Sequence, residues 1–168
     1  MKRIGSAVIV ALLAYVTYIV YSGTVGGYDL TTGAIVAIIT GAIFSTFVVK
    51  NPSKVLDVKR WLYLIVYAII YFTYYETMAH VDVIKRILHP KKPVNPAVVE
   101  AFYDVNTDYA LTATSISITN TPGTVVVEVD EKKKALYIHW IYATTLDPVE
   151  AKKQIFEAFE KFAKKIFD

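Results

Sequence analysis

Residues 60–93, RWLYLIVYAIIYFTYYETMAHVDVIKRILHPKKP, decide how the rest of the chain is organised. The stretch from Trp61 to Ala79 is apolar enough for a membrane span, yet its helical wheel is two-sided. At about 100° per residue, Arg60, Tyr63, Tyr67, Tyr71, Tyr74, Tyr75, Asp82, Lys85 and Arg86 fall on one arc. Leu62, Ile65, Val66, Ile69, Ile70, Phe72, Val83, Ile84, Ile87 and Leu88 fall on the other. Leu64 and Ala68 break the pattern on the tyrosine side, and Glu76 and His80 break it on the apolar side. An amphipathic helix with tyrosines on its wetter face suits the headgroup region of a bilayer.

Working outward, the charges support that reading. Lys2 and Arg3 precede a first apolar span, Ile4 to Ser22, and Lys50, Lys54, Lys59 and Arg60 follow a second, Leu30 to Val49. Lys85, Arg86, Lys91 and Lys92 follow the third helix, while the intervening loop GTVGGYD has no Lys or Arg. The positive-inside rule places all three basic clusters in the cytoplasm. That requires two crossings and a third helix that stays on the cytoplasmic side; three full crossings remain the alternative. Each of the first two spans matches the ~20 residues a bilayer core requires. Residues 1–22 also have the charged start and apolar middle of a signal peptide, but no small-x-small motif closes them.

Neither of the first two spans contains an ionisable residue, and ion pathways through lipid ordinarily need them. Small residues recur at four-residue spacing, Ala7 and Ala11 in one span and Ala37, Gly41 and Ser45 in the other. Such spacing lets helices approach closely, against each other or against partner helices.

Beyond the organising helix, Pro90, Pro93 and Pro96 enforce an extended exit. Ala97 to Val105 reads as a strand, and Asn106-Thr107-Asp108 caps a helix running to about Thr119. Thr121-Pro122-Gly123-Thr124 has the signature of a type II turn. TVVVEV (124–129) and ALYIHWI (135–141) form a hairpin across DEKKK. Asp147-Pro148 opens a last helix to about Phe167, with an apolar stripe of Ile155, Phe159, Phe162 and Ile166. The expected fold is thus a membrane α-helical N-terminal region followed by a small cytoplasmic α+β domain of order β-α-β-β-α. The regions are 1–59, two transmembrane helices and a cytoplasmic loop; 60–93, the amphipathic interfacial helix and proline-rich exit; and 94–168, the α+β domain.

Composition narrows the function. The chain has 168 residues, 55% of them hydrophobic, and no cysteine. Disulfides, thiolate catalysis and Cys-held metals are therefore excluded. Residues 1–92 carry ten Lys/Arg against four acids and residues 93–168 carry eight against eleven. The basic half lies beside lipid and the other half is acidic, so no nucleic-acid footprint is present. Abundant Ile, Tyr, Lys and Glu is a thermophile-like usage.

The one polar spot with candidate chemistry is Glu76 and His80, four apart, with Thr73 and Thr77. It reads as a proton-handling site, a subunit contact, or a Glu–His pair satisfying itself. Asp104 and Asp108 read as a strand end and a helix N-terminus. His89 and His139 share no ligand spacing with His80, and no cofactor or metal is expected. The hydroxyls Thr112, Thr114, Ser115, Ser117 and Thr119 have no triad partner and suit interhelical hydrogen bonding.

Two stretches carry a family resemblance. VDVIKRILHPKKPVNPAVVE (81–100) resembles the segment after the hydrophobic region in the E-type subunit of Mrp-type multisubunit Na+/H+ antiporters. Asp82-Val83, Leu88-His89-Pro90-Lys91 and Pro93-Val94-Asn95-Pro96 match in order. LTATSISITNTPGTVVVEVDEKKKALYIHWI (111–141) is similar to that family's run through Thr-Pro-Gly-Thr into a hairpin ending Tyr-x-His-Trp-Ile, with Asn120 standing where the family has an apolar residue. The resemblance implies a non-catalytic accessory subunit with no cofactor of its own. It implies other integral membrane antiporter-like subunits as partners, besides the lipid bilayer. The same subunit type occurs in archaeal membrane-bound hydrogenases and related sulfur-reducing complexes, so hydrogenase subunits are expected neighbours, with a free-standing Mrp antiporter as the alternative. A small membrane-anchored enzyme or ligand-binding domain is the competing reading from another class.

Overall fold

The computed structural model describes residues 2–168. By internal packing the chain divides into two compact units, residues up to Val58 and Lys59–Asp168.

The first unit is a helical hairpin, α1 (Lys2–Ser22) and α2 (Gly27–Val48), followed by the short helix α3 (Pro52–Val55). Small residues make the seam. Gly33, Ala37, Gly41 and Ser45 form the buried stripe of α2. A Cβ at Gly41 would lie 2.6 Å from the Ala7 carbonyl and 2.9 Å from the Ala11 Cβ. The four-residue spacing seen in the sequence therefore joins the two helices to each other. Ser6 Oγ donates 2.8 Å to the Val49 carbonyl, which satisfies an orphan acceptor where α2 ends.

The second unit begins one residue into α4 (Val58–Ile70), which runs on through a π-helical turn (Tyr71–Tyr75) and α5 (Glu76–Leu88) as one rod, Val58–Leu88. Together with Arg3–Ser22 and Gly27–Val48 this makes three helices long and apolar enough to cross a membrane among the described residues. The proline-rich exit is tied down by Asn95. Its side-chain amide donates 2.7 Å to the Ala143 carbonyl, and its backbone exchanges bonds with Ile141 and Ala143.

The remaining elements are β1 (Ala97–Phe102), α6 (Asp108–Asn120), β2 (Thr124–Asp130), β3 (Ala135–Trp140), α7 (Pro148–Ile155) and α8 (Glu157–Phe167). The sheet has order β1-β3-β2 with both pairings antiparallel. Val99, Ala101, Leu136 and Ile138 face the core with Ile118, Ala151 and Phe156. Local chemistry explains the boundaries. Thr107 caps α6 by accepting from Ala110 N, and Asp147 caps α7 by accepting from Val149 N and Glu150 N. Gly123 takes φ +98° and Thr124 N bonds the Thr121 carbonyl, as the Pro-Gly turn requires. Asp130 accepts from Lys132 N and Lys133 N to close the hairpin.

Two expectations are corrected. The first strand ends at Phe102: Tyr103 N still bonds the Lys134 carbonyl in register at 2.9 Å, but Lys134 takes φ +53° in the hairpin turn, where the partner strand has not yet begun. The last helix is broken at Phe156, whose φ and ψ are −143° and 2°. The break drives Phe156 and Ala163 into the core beside Phe159 and Ile166, leaving Ile155 and Phe162 half-buried. It also buries Glu160, which bonds Lys152 Nζ at 2.6 Å and accepts from Asp104 N at 2.5 Å.

Candidate functional site on the tyrosine row of the long helix

Tyr63, Tyr67, Tyr71 and Tyr75 lie four apart on the long helix and so line one face of it. At Tyr67, Tyr71 and Tyr75 that face is covered by the α+β domain, while Tyr63 and Tyr74 stay exposed. Tyr67 lies 5.1 Å, centroid to centroid, from Phe162, and Tyr71 and Tyr75 lie 5.6 and 5.1 Å from Phe159. Edge-on and tilted rings at such separations add to area burial. The phenol groups find hydroxyl partners on α6. Tyr67 OH pairs with Ser117 Oγ. Tyr71 OH lies 3.1 Å from the Ser117 carbonyl and 3.2 Å from Thr121 Oγ1. Of the hydroxyl run on α6, Ser117 meets the tyrosines and also bonds back to the Ala113 carbonyl, whereas Thr114 bonds the Ala110 carbonyl and Thr119 accepts from Val126 N on β2. A tyrosine row meets a Ser/Thr row because a buried phenol needs a partner.

The contact extends along the rod. Arg60 donates 2.8 Å to the Ile166 carbonyl. Lys165 Nζ sits 5.1 Å over the Tyr63 ring. At the other end Arg86 holds Asp82 through two bonds of 2.7 and 3.0 Å, donates to the Pro93 carbonyl, and lies 3.9 Å over the Tyr142 ring.

Glu76, His80, Thr73 and Thr77 are separated by the π turn. Glu76 N–H bonds the Tyr71 carbonyl, five residues back rather than four. One extra residue is absorbed, so everything beyond it is turned by about 100° relative to a uniform wheel. Glu76 therefore comes round to the tyrosine side, where it accepts from Tyr71 OH at 2.5 Å, and its side chain is 12% exposed. His80 keeps its ring 3.4 Å from the Glu76 carboxylate and 2.7 Å from the Glu76 carbonyl, but its side chain is 58% exposed. Thr73 bonds back to the Ile69 carbonyl at 2.6 Å, and Thr77 is exposed. The expected placement of Glu76 on the apolar side is corrected by this turn.

The other face of the rod is bare and apolar. Leu62, Ile65, Ile69, Phe72, Ile84 and Ile87 are each at least half exposed. Sequence reasoning missed the partners of the tyrosines: Ser117, Thr121, Phe159 and Phe162. The available signal was the pairing of rows, four tyrosines at spacing four with Ser117 and Thr121 also four apart. Asp104 and Asp108 remain apart, Asp104 bonding Lys164 and Asp108 opening α6. His89 accepts from Lys91 N at 3.1 Å, and His139 lies on β3.

This architecture is shared. A family model described as MNHE, Na+/H+ ion antiporter subunit, matches residues 11–166. The E-type subunit of the Na(+)/H(+) antiporter of Bacillus subtilis is 35% identical over 89 residues, 53% of this chain and 53% of that protein. The alignment thus spans about half of that relative. The corresponding antiporter subunit of Alkalihalophilus pseudofirmus is 25% identical over 161 residues, 96% of each chain. Among solved structures, a chain of the membrane-bound sulfane sulfur reductase, an archaeal respiratory membrane complex, matches with TM-score 0.82 and 31% identity, over 99% of this chain and 100% of that one. With nearly the whole sequence inside the family model, the chain belongs to the MNHE family of Na+/H+ ion antiporter subunits.

Proposed function

We propose that this chain is an accessory subunit of a multisubunit cation/proton antiport module, bracing its neighbours rather than carrying the ion. The observation that supports this most is the two-faced rod. Its tyrosine face is occupied by the α+β domain from Arg60 to Arg86, which is about 39 Å at 1.5 Å per residue. That exceeds the ~30 Å hydrocarbon core of a bilayer. A transmembrane rod would drag the polar surface of the domain into lipid, at several kcal/mol per unsatisfied group. We therefore place the rod at the cytoplasmic surface, bare face in the lipid, with two crossings by α1 and α2 and the domain in the cytoplasm. Glu76 in this reading holds Tyr71 against α6, and neither it nor His80, Thr73 or Thr77 conducts protons.

The host complex we favour is an archaeal respiratory one of the hydrogenase or sulfur-reducing kind. The near full-length likeness to a chain of the sulfane sulfur reductase complex supports it. Purification of the tagged chain in gentle detergent, with mass spectrometry of its companions, tests this. Antiporter-like subunits with iron–sulfur and nickel–iron or sulfur-reducing proteins bear it out. Antiporter subunits alone make the host a free-standing exchanger, the reading favoured by the names of the curated relatives. A chain that emerges alone and monodisperse defeats the accessory role.

A further inference from the structure

The tyrosine row and the core leave one face of the sheet unused. Because strand side chains alternate, the burial of Val99, Ala101, Leu136 and Ile138 turns their neighbours outward. Register aligns Val98, His139 and Val125 in one row across the three strands, and Glu100, Tyr137 and Glu128 in the next. Val98, Val125 and Phe102 are 56%, 44% and 46% exposed. The long helix reaches the domain through α6, α8 and the residues around the strand ends, Pro93, Gly123 and Tyr142. The outer sheet face takes no part in those contacts.

We propose that this face docks an extramembranous segment of a partner subunit whose apolar side chains are interspersed with Lys or Arg. The charge of the face selects that occupant. A row of two valines flanking His139 abuts a row with a carboxylate at each end, and the 93–168 region carries eleven acids against eight bases. Glu100 accepts from Tyr137 OH at 2.8 Å, which fixes its position, and Glu128 stands exposed. Lys133 bonds the same phenol at 3.2 Å and offsets one charge, leaving the row acidic. An anionic lipid surface would be repelled by the carboxylates, whereas a cationic, apolar peptide surface matches both rows. The two open valines and Phe102 supply apolar area for such an interface to cover.

The proposal rests on the reading of the chain as a subunit of a membrane complex, and the two fail differently. The chain has no cysteine, so Val98→Cys installs a unique thiol. The full-length variant, in the membrane complex purified with its companions, is labelled with a photoreactive benzophenone maleimide and the crosslinks are mapped by mass spectrometry. Lys153→Cys on α7 is the control. A crosslink from position 98 to a Lys- or Arg-bearing apolar segment of another subunit is expected, with none from position 153. Glu128→Lys should weaken that crosslink several-fold without moving the thermal unfolding of the domain. If Glu128→Lys does not fold, the crosslink target and thiol accessibility at position 98 decide. Companions present, but the position-98 thiol modified by maleimide-polyethylene glycol as fast as that at position 153, overturns the docking surface alone. So does a crosslink to lipid or to an acidic segment. Absence of companion subunits overturns the docking surface and the subunit reading together.

Discussion

Single side chains carry the joint between rod and domain. Tyr71 packs its ring on Phe159 and places its hydroxyl among Glu76, the Ser117 carbonyl and Thr121. Tyr71→Phe keeps the ring and strips the hydroxyl, leaving Glu76 short of a donor; we expect a loss of about 1–2 kcal/mol, read as an earlier thermal transition of the full chain in detergent. Glu76→Gln keeps an acceptor and should cost less. In an assembled complex it should leave ion exchange unchanged, and a collapse of exchange would instead return Glu76 to the proton route. Asp104 offers a pH test at the aqueous end of the domain. The hydrogen bond and charge of Lys164 hold its carboxyl below the usual carboxylate range. A carboxylate whose folded pKa lies below its unfolded value stabilises the fold above the unfolded value, near pH 4, and that contribution is lost as pH falls through the lower folded value. Asp104→Asn should flatten acid destabilisation in that window, measured by circular dichroism from pH 5 downward, while leaving the neutral-pH slope as it was.

At the scale of elements, the parts written in local chemistry were legible and those written in remote pairings were not. Pro122-Gly123, Asp147-Pro148 and Thr107 each specify their own turn or cap, so the order β-α-β-β-α followed from the sequence. Gly123→Ala tests the turn: φ of +98° and an Ile141 methyl 3.1 Å from the new Cβ predict a loss of about 1–2 kcal/mol or more, read as a lower midpoint of thermal unfolding. The small-residue seam was visible too, though spacing alone could not say whether it joined α1 to α2 or to a partner. Gly41→Val would push a side chain onto the Ala7 carbonyl, and overpacking of this kind costs about 1–3 kcal/mol. Hidden from the sequence were the break at Phe156 and the π turn at Tyr71–Tyr75. Neither contains Gly or Pro. Both depend on where Phe156, Phe159 and Tyr71 find room in a core whose members lie far apart in the chain. A wheel drawn at a constant angle cannot register an added residue, which is why Glu76 falls on the wrong side of it.

For the whole molecule, the amphipathic pattern of 60–93 was readable but its meaning reversed at one face. The tyrosines looked like headgroup anchors; they anchor the chain's own domain, and the lipid-facing surface we propose is the opposite, bare one. This has a topological consequence that separates two crossings from three. With two, the loop at Val25 and the hairpin at Lys132 lie on opposite sides of the membrane; with three, they lie on the same side. Both positions are exposed, and the cysteine-free background makes single thiols unambiguous. In intact cells, a membrane-impermeant maleimide should modify Val25→Cys and spare Lys132→Cys until the membrane is opened. Equal modification of both in intact cells would require the rod to cross, and with it some device to shield the domain surface between Arg60 and Arg86 from hydrocarbon. No such device is built into the contacts of the rod among the described residues: its bare face carries Leu62, Ile69 and Phe72, and its other face is filled by polar helices.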